Sequence, residues 1–238
     1  MINGISFLGL QISWYSILGF TGLVAAGLLC FSRRKKYQLP GDDILNLVGY
    51  ALIGAVVGSK ILALLCVLPY IIKYWDLIQW NAEFFNLLMS TGFVYYGGLI
   101  GVVVMFYIYC KQFKMNFANI MELLAPGVPM FHVFGRIGCY ITGCCGGING
   151  FPLQLVEAAM NLVICIVLLV IQDKELAKGK TFLLYMILYG IGRFVLEFYR
   201  GDPERGFIGM FSVSQWISIA FIVIAVILWK KVEKRRRE

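Results

Sequence analysis

The sequence predicts an all-α, polytopic integral membrane protein of about seven transmembrane helices, N-terminus outside and C-terminus cytoplasmic. Three observations carry that reading. Of 238 residues, 60% are hydrophobic and 14% charged, with a mean hydropathy of +0.81, whereas about a quarter of the residues in a soluble domain are charged. Apolar runs near the length of about 20 residues that a bilayer core requires recur along the chain. Most lysines and arginines gather in four clusters: Arg33, Arg34, Lys35 and Lys36; Lys111 and Lys114; Lys174, Lys178 and Lys180; and Lys230, Lys231, Lys234, Arg235, Arg236 and Arg237. The intervening loops hold only Lys73, Arg200 and Arg205. By the positive-inside rule the clustered loops are cytoplasmic. The formal net charge of +8 is therefore an orientation signal rather than a face for nucleic acid.

The first run, residues 12–31, has no basic residue ahead of it and a cluster behind it. Leu29, not a small residue, precedes Cys30, so the run reads as an uncleaved helix. Trp14 and Tyr15 near its outer end have the character of an aromatic belt at the headgroups. The second run, 44–69, carries Gly54 and Gly58 at the four-residue spacing that allows close helix approach. Lys60 follows, either snorkelling to the outer headgroups or holding a lipid phosphate. Residues 70–88 are too polar to cross a bilayer but keep apolar residues at helical spacing, the pattern of an interfacial amphipathic helix. The third run, 93–110, opens with Tyr96, Gly97 and Gly98. Those glycines permit either helix contact or close approach of backbone to a ligand beside the Tyr96 hydroxyl.

The fourth run, 118–141, is interrupted by Ala125-Pro126-Gly127-Val128-Pro129. Such a break at membrane depth is tolerated where backbone faces protein or a wet cavity. It leads into FHVFGRIGCYITGCCGG, residues 131–147, the densest chemistry in the chain. A guanidinium in lipid costs roughly 2.5–3.5 kcal/mol even on lenient scales, so Arg136 marks a functional site. His132, the single histidine, stands one helical turn away on the same face and serves either as a helix–helix hydrogen bonder or in catalysis. Cys139, Cys144 and Cys145 fit a disulfide on an oxidising surface or a thiolate activated beside Arg136. Their spacing is not that of a structural zinc site, and no metal or cofactor is expected. Cys30, Cys66, Cys110 and Cys165 sit singly in apolar runs and read as small core residues.

The fifth run, 153–171, begins with Gln154 and Glu157 on one face. The sixth, 182–198, carries Tyr189, Arg193, Glu197 and Arg200 on one helical stripe. Arg193 and Glu197 can pair, but the four together favour a polar wall lining a cavity. The seventh, 211–229, starts at the hydroxyl-rich Ser212-Val213-Ser214-Gln215, and a basic cytoplasmic tail, 230–238, ends the chain.

Taken in order, Trp14-Tyr15, Gly58-Ser59-Lys60, Gly97-Gly98-Leu99-Ile100-Gly101, Ala125-Pro126, Gly135-Arg136-Ile137-Gly138, Pro152-Leu153-Gln154-Leu155, and Tyr189-Gly190 with Arg193-Phe194, Glu197 and Arg200 resemble the bacterial prolipoprotein diacylglyceryl transferases over nearly the whole chain. The resemblance implies a single transmembrane transferase-like domain, 1–238, in the plasma (inner) membrane. It implies transfer of a diacylglyceryl group from phosphatidylglycerol to the lipobox cysteine thiol of a prolipoprotein, with release of glycerol phosphate. The partners implied are phosphatidylglycerol, prolipoprotein signal peptides and the bilayer, with no nucleic acid. Catalytic roles are implied for Arg136 and Arg193 on the phosphate, with Glu197 and Tyr189 fixing Arg193. Substrate contacts fall to Tyr15, Lys60, Gly97, Gly98, Cys139, Cys144, Tyr189, Glu197 and Arg200.

The chain departs from the family pattern where a base is needed. The family's histidine before the paired glycines is Tyr96 here, its asparagine after GRIG is Cys139, and its later acidic residue is Cys144. It is similar to a cysteine-rich branch in which a histidine precedes GRIG, so His132 is expected to take over proton transfer, with Tyr96 the poorer base at a pKa of about 10. Two alternatives stand beside this reading: a divergent relative that transfers a lipid-derived group to another acceptor, and a non-catalytic membrane protein that binds anionic lipid.

Overall fold

The computed structural model describes residues 4–7, 10–78, 81–90, 95–174, 176–201 and 207–237. In chain order the elements are strands β1 (Gly4–Phe7) and β2 (Leu10–Ser13), then helices α1 (Trp14–Arg33), α2 (Gly41–Lys73), α3 (Ala82–Ser90), α4 (Tyr95–Gln112), α5 (Phe117–Leu124), α6 (Gly127–Thr142), α7 (Leu153–Asp173) and α8 (Thr181–Leu196), then β3 (Phe207–Ile208) and β4 (Phe211–Ser212), and finally α9 (Val213–Arg237). Helices α1, α2, α7, α8 and α9 are each long and apolar enough to cross a membrane. A sixth crossing forms if α5 and α6, bent by 40° at their break, are taken as one. The described apolar part of α4, Gly97–Gln112, is shorter than the about 20 residues that a bilayer core requires. This is a multi-pass membrane protein.

Two compact units divide the chain, one of residues 39–117 and one of residues 1–38 with 118–238. The first is built on α2, whose 33 residues span about 50 Å at 1.5 Å per residue, well beyond a 30 Å bilayer core. It runs through Pro69 to Lys73 rather than stopping at the proline. The expected interfacial helix over 70–88 is accordingly divided. Its first residues finish α2, a 3₁₀ turn follows at Trp75–Leu77, and a separate helix, α3, starts where the Asn81 side chain accepts from the Phe84 amide at 2.9 Å. Helices α2 and α4 pack through glycines: a Cβ at Gly54 would lie 2.6 Å from the Gly101 carbonyl. Asp43 accepts from the Tyr109 hydroxyl at 2.6 Å at the other end of the pair. Gly54→Leu is therefore expected to destabilise the protein by about 1–3 kcal/mol, the usual cost of overpacking. Gly49→Leu, which meets nothing within 4 Å, is the control, and thermal unfolding in detergent is the readout.

In the second unit α1 packs on α6, α6 on α7, α7 on α8 and α8 on α9. Small residues set these contacts. Gly22 faces Phe134, Gly138 faces Tyr15, and Gly190 faces Ser218 and Ile222. The apolar centre gathers Ile164, Leu168 and Tyr185, with Met160 and Tyr189 packed against it. One end is tied by polar groups: Glu122 accepts from the Thr181 amide at 2.5 Å, Gln172 donates to the Glu122 carbonyl at 2.6 Å, and Arg33 pairs with Asp173. The hydroxyl-rich start of α9 is a capping box. Ser212 Oγ accepts from the Gln215 amide at 3.2 Å and Gln215 Oε1 from the Ser212 amide at 2.9 Å. The N-terminal hairpin of β1 and β2 was not foreseen, because its two four-residue strands merge with the lead-in to the first apolar run.

Candidate active site

The break at Ala125-Pro126 sets the course of α6. Pro126 cannot donate to the preceding turn, so α5 ends at Leu124 and a new helix begins at Gly127, with Pro129 in its first turn, where the missing amide costs nothing. Arg136 then lies three turns into a helix flanked by α1 and α7. Its Nε donates to Glu157 Oε2 at 2.8 Å. The other oxygen of Glu157 accepts from Arg193 Nη1 at 2.8 Å. Arg193 Nη2 reaches Glu197 Oε2 at 2.8 Å and Ser214 Oγ at 3.5 Å.

One carboxylate thus joins two arginines from two helices. The side chains of Glu157, Arg193 and Glu197 are 3%, 9% and 2% exposed, whereas Arg136 is 22% exposed. The two arginines and two glutamates neutralise each other, so the cluster tolerates burial, and removing a charge from its buried part, Glu157, Arg193 or Glu197, leaves another unpaired in low dielectric. Arg193 has both terminal nitrogens engaged. Arg136 is held through Nε, and its two terminal nitrogens make no hydrogen bond among the described residues. A guanidinium fixed by one edge presents the rest as donors to an incoming anion.

His132 lies one turn before Arg136, its ring 5.4 Å from that of Tyr189 at an interplanar angle of 33°. It is also within interaction range of Asn161, Arg136 and Arg193. Asn161 donates to the Glu157 carbonyl at 2.8 Å, one turn back along α7. Tyr189 interacts in turn with Arg136, so His132, Tyr189, Arg136, Arg193 and Glu197 are brought together. The stripe expected on the sixth run holds through Glu197 and then ends. After α8 a 3₁₀ turn covers Glu197–Tyr199, and Arg200 is extended, φ −74° and ψ 137°. Its backbone bridges to Gly147 instead of continuing the helix. Arg200 therefore leaves the stripe, because the helix has already given way to the 3₁₀ turn before it.

The three thiols converge. A Schellman-type end to α6, with Gly143 at φ +74° and the Cys144 amide donating to the Cys139 carbonyl at 3.0 Å, folds the chain back on itself. The Sγ atoms of Cys139, Cys144 and Cys145 all lie within 4.8 Å of one another, and all three are free thiols. Cys145 sits at φ 57°, a left-handed conformation that costs a non-glycine residue about 1–2 kcal/mol. It is held there by its neighbours: Gln154 donates to the Cys144 carbonyl at 2.7 Å, and the Gly201 amide donates to the Gly146 carbonyl at 3.0 Å. A hydrogen bond from Cys139 lowers the Cys145 thiol to about 5 against the opposing effect of burial, helped by Cys144 and by the charges of Arg200 and Arg136. Tyr15, half-exposed at the start of α1, is within interaction range of Arg136 and all three cysteines.

The remaining expected residues lie in the other unit. Lys60 donates to the Leu88 carbonyl at 3.1 Å. Gly97 and Gly98 are buried where α4 meets Gly58 and Ser59 of α2. Tyr96 is on α4, and its side chain lies outside the described residues. Two features went unforeseen. The sequence shows Glu157 only as a polar neighbour of Gln154, although a carboxylate within the fifth apolar run is itself a signal that a cation stands opposite. Asn161 carried the same signal one turn on.

The model of the family described as prolipoprotein diacylglyceryl transferase matches residues 4–230. A phosphatidylglycerol–prolipoprotein diacylglyceryl transferase of Clostridium tetani is 33% identical over 241 residues, covering 93% of each chain. One from Clostridium perfringens is 32% identical over 246 residues, 95% of this chain and 93% of its own. One from Finegoldia magna is 29% identical over 244 residues, 97% of this chain and 95% of its own.

Proposed function

The chain belongs to the prolipoprotein diacylglyceryl transferase family, and from that premise we propose that it transfers the diacylglyceryl group of phosphatidylglycerol to the lipobox cysteine thiol of prolipoproteins, releasing glycerol phosphate. The reading places it in the bacterial plasma (inner) membrane, with about seven crossings if α4 is counted, and its basic loops cytoplasmic. The observation that carries it is the edge-held guanidinium of Arg136, whose uncommitted nitrogens stand beside a cluster of thiols.

In this reading the phosphodiester docks on the free edge of Arg136. As the bond from glyceryl carbon to phosphate oxygen breaks, charge grows on the departing phosphate, and a donor already aimed there is stronger in the transition state than in the ground state. Glu157 fixes the Arg136 plane, and Arg193, pinned by Glu197, fixes Glu157. Arg193, Glu157 and Glu197 are thus positioning residues. The acceptor thiol, with an ordinary pKa of about 8.5, needs a proton acceptor, and His132 fills that role as the single imidazole of the chain.

Phosphatidylglycerol vesicles containing the purified protein test the reading. Glycerol phosphate is expected to appear only when a lipobox peptide with its cysteine is added. Tight anionic-lipid binding without release would favour the non-catalytic alternative. His132→Ala is expected to lower the rate by about 10²–10⁴-fold at neutral pH, the usual range for losing a general base, and to regain part of it as the pH approaches the thiol pKa. Unchanged turnover in His132→Ala would remove the histidine from the mechanism.

A further inference from the structure

We propose that Cys139, Cys144 and Cys145 form a binding site for a thiophilic divalent metal ion, zinc foremost, whose open coordination position takes the acceptor thiol. The use of that open position rests on the transferase reading; the metal site itself does not.

The geometry fits a metal closely. The three Sγ atoms lie within 4.8 Å of one another. A zinc–sulfur bond of about 2.3 Å requires sulfurs about 3.8 Å apart in a tetrahedron. Each pair therefore needs to close by no more than about 1 Å, a rotamer adjustment. The backbone is already shaped for it. Gly143 and Cys145 both take the left-handed conformation, which turns two sulfurs back toward Cys139 at the end of α6. Gln154 from α7 and the Gly147–Arg200 bridge hold that loop from two sides. A cluster assembled this way is a preorganised ligand set, not three thiols that happen to be near.

Charge and access point the same way. Three thiolates around a divalent ion carry one net negative charge, and Arg136 and Arg200 both act on this group. No fourth histidine, cysteine, aspartate or glutamate joins the three among the described residues. Three protein ligands with one vacant position is the pattern of catalytic rather than structural zinc. Cys144 is exposed, so the vacant side is reachable.

A soft metal binds a thiol as its thiolate at neutral pH. The acceptor's S–H proton passes to His132 and then to solvent as the sulfur takes the open position. The metal-bound sulfur then gives an electron pair to the glyceryl carbon that bears the phosphate ester. The C–S bond forms as the C–O bond breaks, and that bond's electron pair leaves with glycerol phosphate on Arg136. The metal keeps its oxidation state and is released from the thioether for the next cycle.

Cobalt(II) titrated into reduced, chelator-stripped protein in detergent reads the site directly. One equivalent is expected to give thiolate-to-cobalt charge-transfer absorption. Cys144→Ser and Cys145→Ser should each weaken binding by roughly 100-fold or more, while Cys66→Ser, at an exposed cysteine of α2, should leave it unchanged. A lipobox peptide added without phosphatidylglycerol should intensify the band, and its serine counterpart should not. Absence of the band, or its survival in both serine variants, would overturn the site. A band indifferent to the cysteine peptide, or full transfer by enzyme shown to be metal-free, would overturn the role of the open position. A chain that binds cobalt through these thiols yet releases no glycerol phosphate with any peptide would count against the transferase reading and leave the site standing.

Discussion

Arg136→Ala is expected to lower diacylglyceryl transfer by about 10³-fold, or about 4 kcal/mol of barrier, at unchanged acceptor concentration. Its terminal nitrogens are the donors not already committed inside the buried charge cluster, so no neighbour substitutes for them. Lysine restores charge but not the planar edge, and Arg136→Lys should recover no more than a small part of the rate. The folded state suffers less than the chemistry does. Without Arg136, Glu157 still accepts from Arg193 at 2.8 Å, and the alanine leaves a gap beside a partly exposed position. A variant that unfolds as readily as it loses activity would place Arg136 in the scaffold instead.

Glu157→Gln should give the opposite balance, with stability lost together with activity. Glu157 is 2% exposed and contacts Arg136 and Arg193 through different oxygens. An amide keeps the shape but removes the charge, leaving two guanidiniums close together with one remaining carboxylate, Glu197. Breaking a buried ion pair by removing one partner costs about 3–5 kcal/mol. For a chain of this size that corresponds to a fall in melting temperature of roughly 10 °C. Glu157→Asp keeps the charge but is one methylene short, so it should recover most of the stability and little of the rate. Stability indistinguishable from the parent in Glu157→Gln would mean that the bridge contributes nothing to the fold.

How far the sequence reached depended on the range of the interaction. Helix ends set by local chemistry were legible: the Ser212 start, the break at Pro126, and the stripe of Tyr189, Arg193 and Glu197. The glycines of α2 and α4 also declared a close helix contact by their spacing. Glu157 did not declare its role, because its two partners stand on α6 and α8 and only packing brings them to one carboxylate. The expected Arg193–Glu197 pair formed, but it proved to be one half of a longer chain of charges. Arg200 lies off the stripe expected of it, because helical spacing does not continue past Leu196, where the chain passes into a 3₁₀ turn. The cysteines at 139, 144 and 145 match no familiar ligand spacing. Their convergence follows from two left-handed residues at the end of α6, one of them a cysteine, and a non-glycine residue with that conformation cannot be read from composition.

Transfer by this protein is read most directly from the intact mass of a lipobox peptide after incubation with the purified protein in phosphatidylglycerol vesicles. A gain equal to one diacylglyceryl group on the cysteine is expected, absent for the serine peptide and for Arg136→Ala. A peptide whose mass stays unchanged with folded, lipid-reconstituted protein would contradict it.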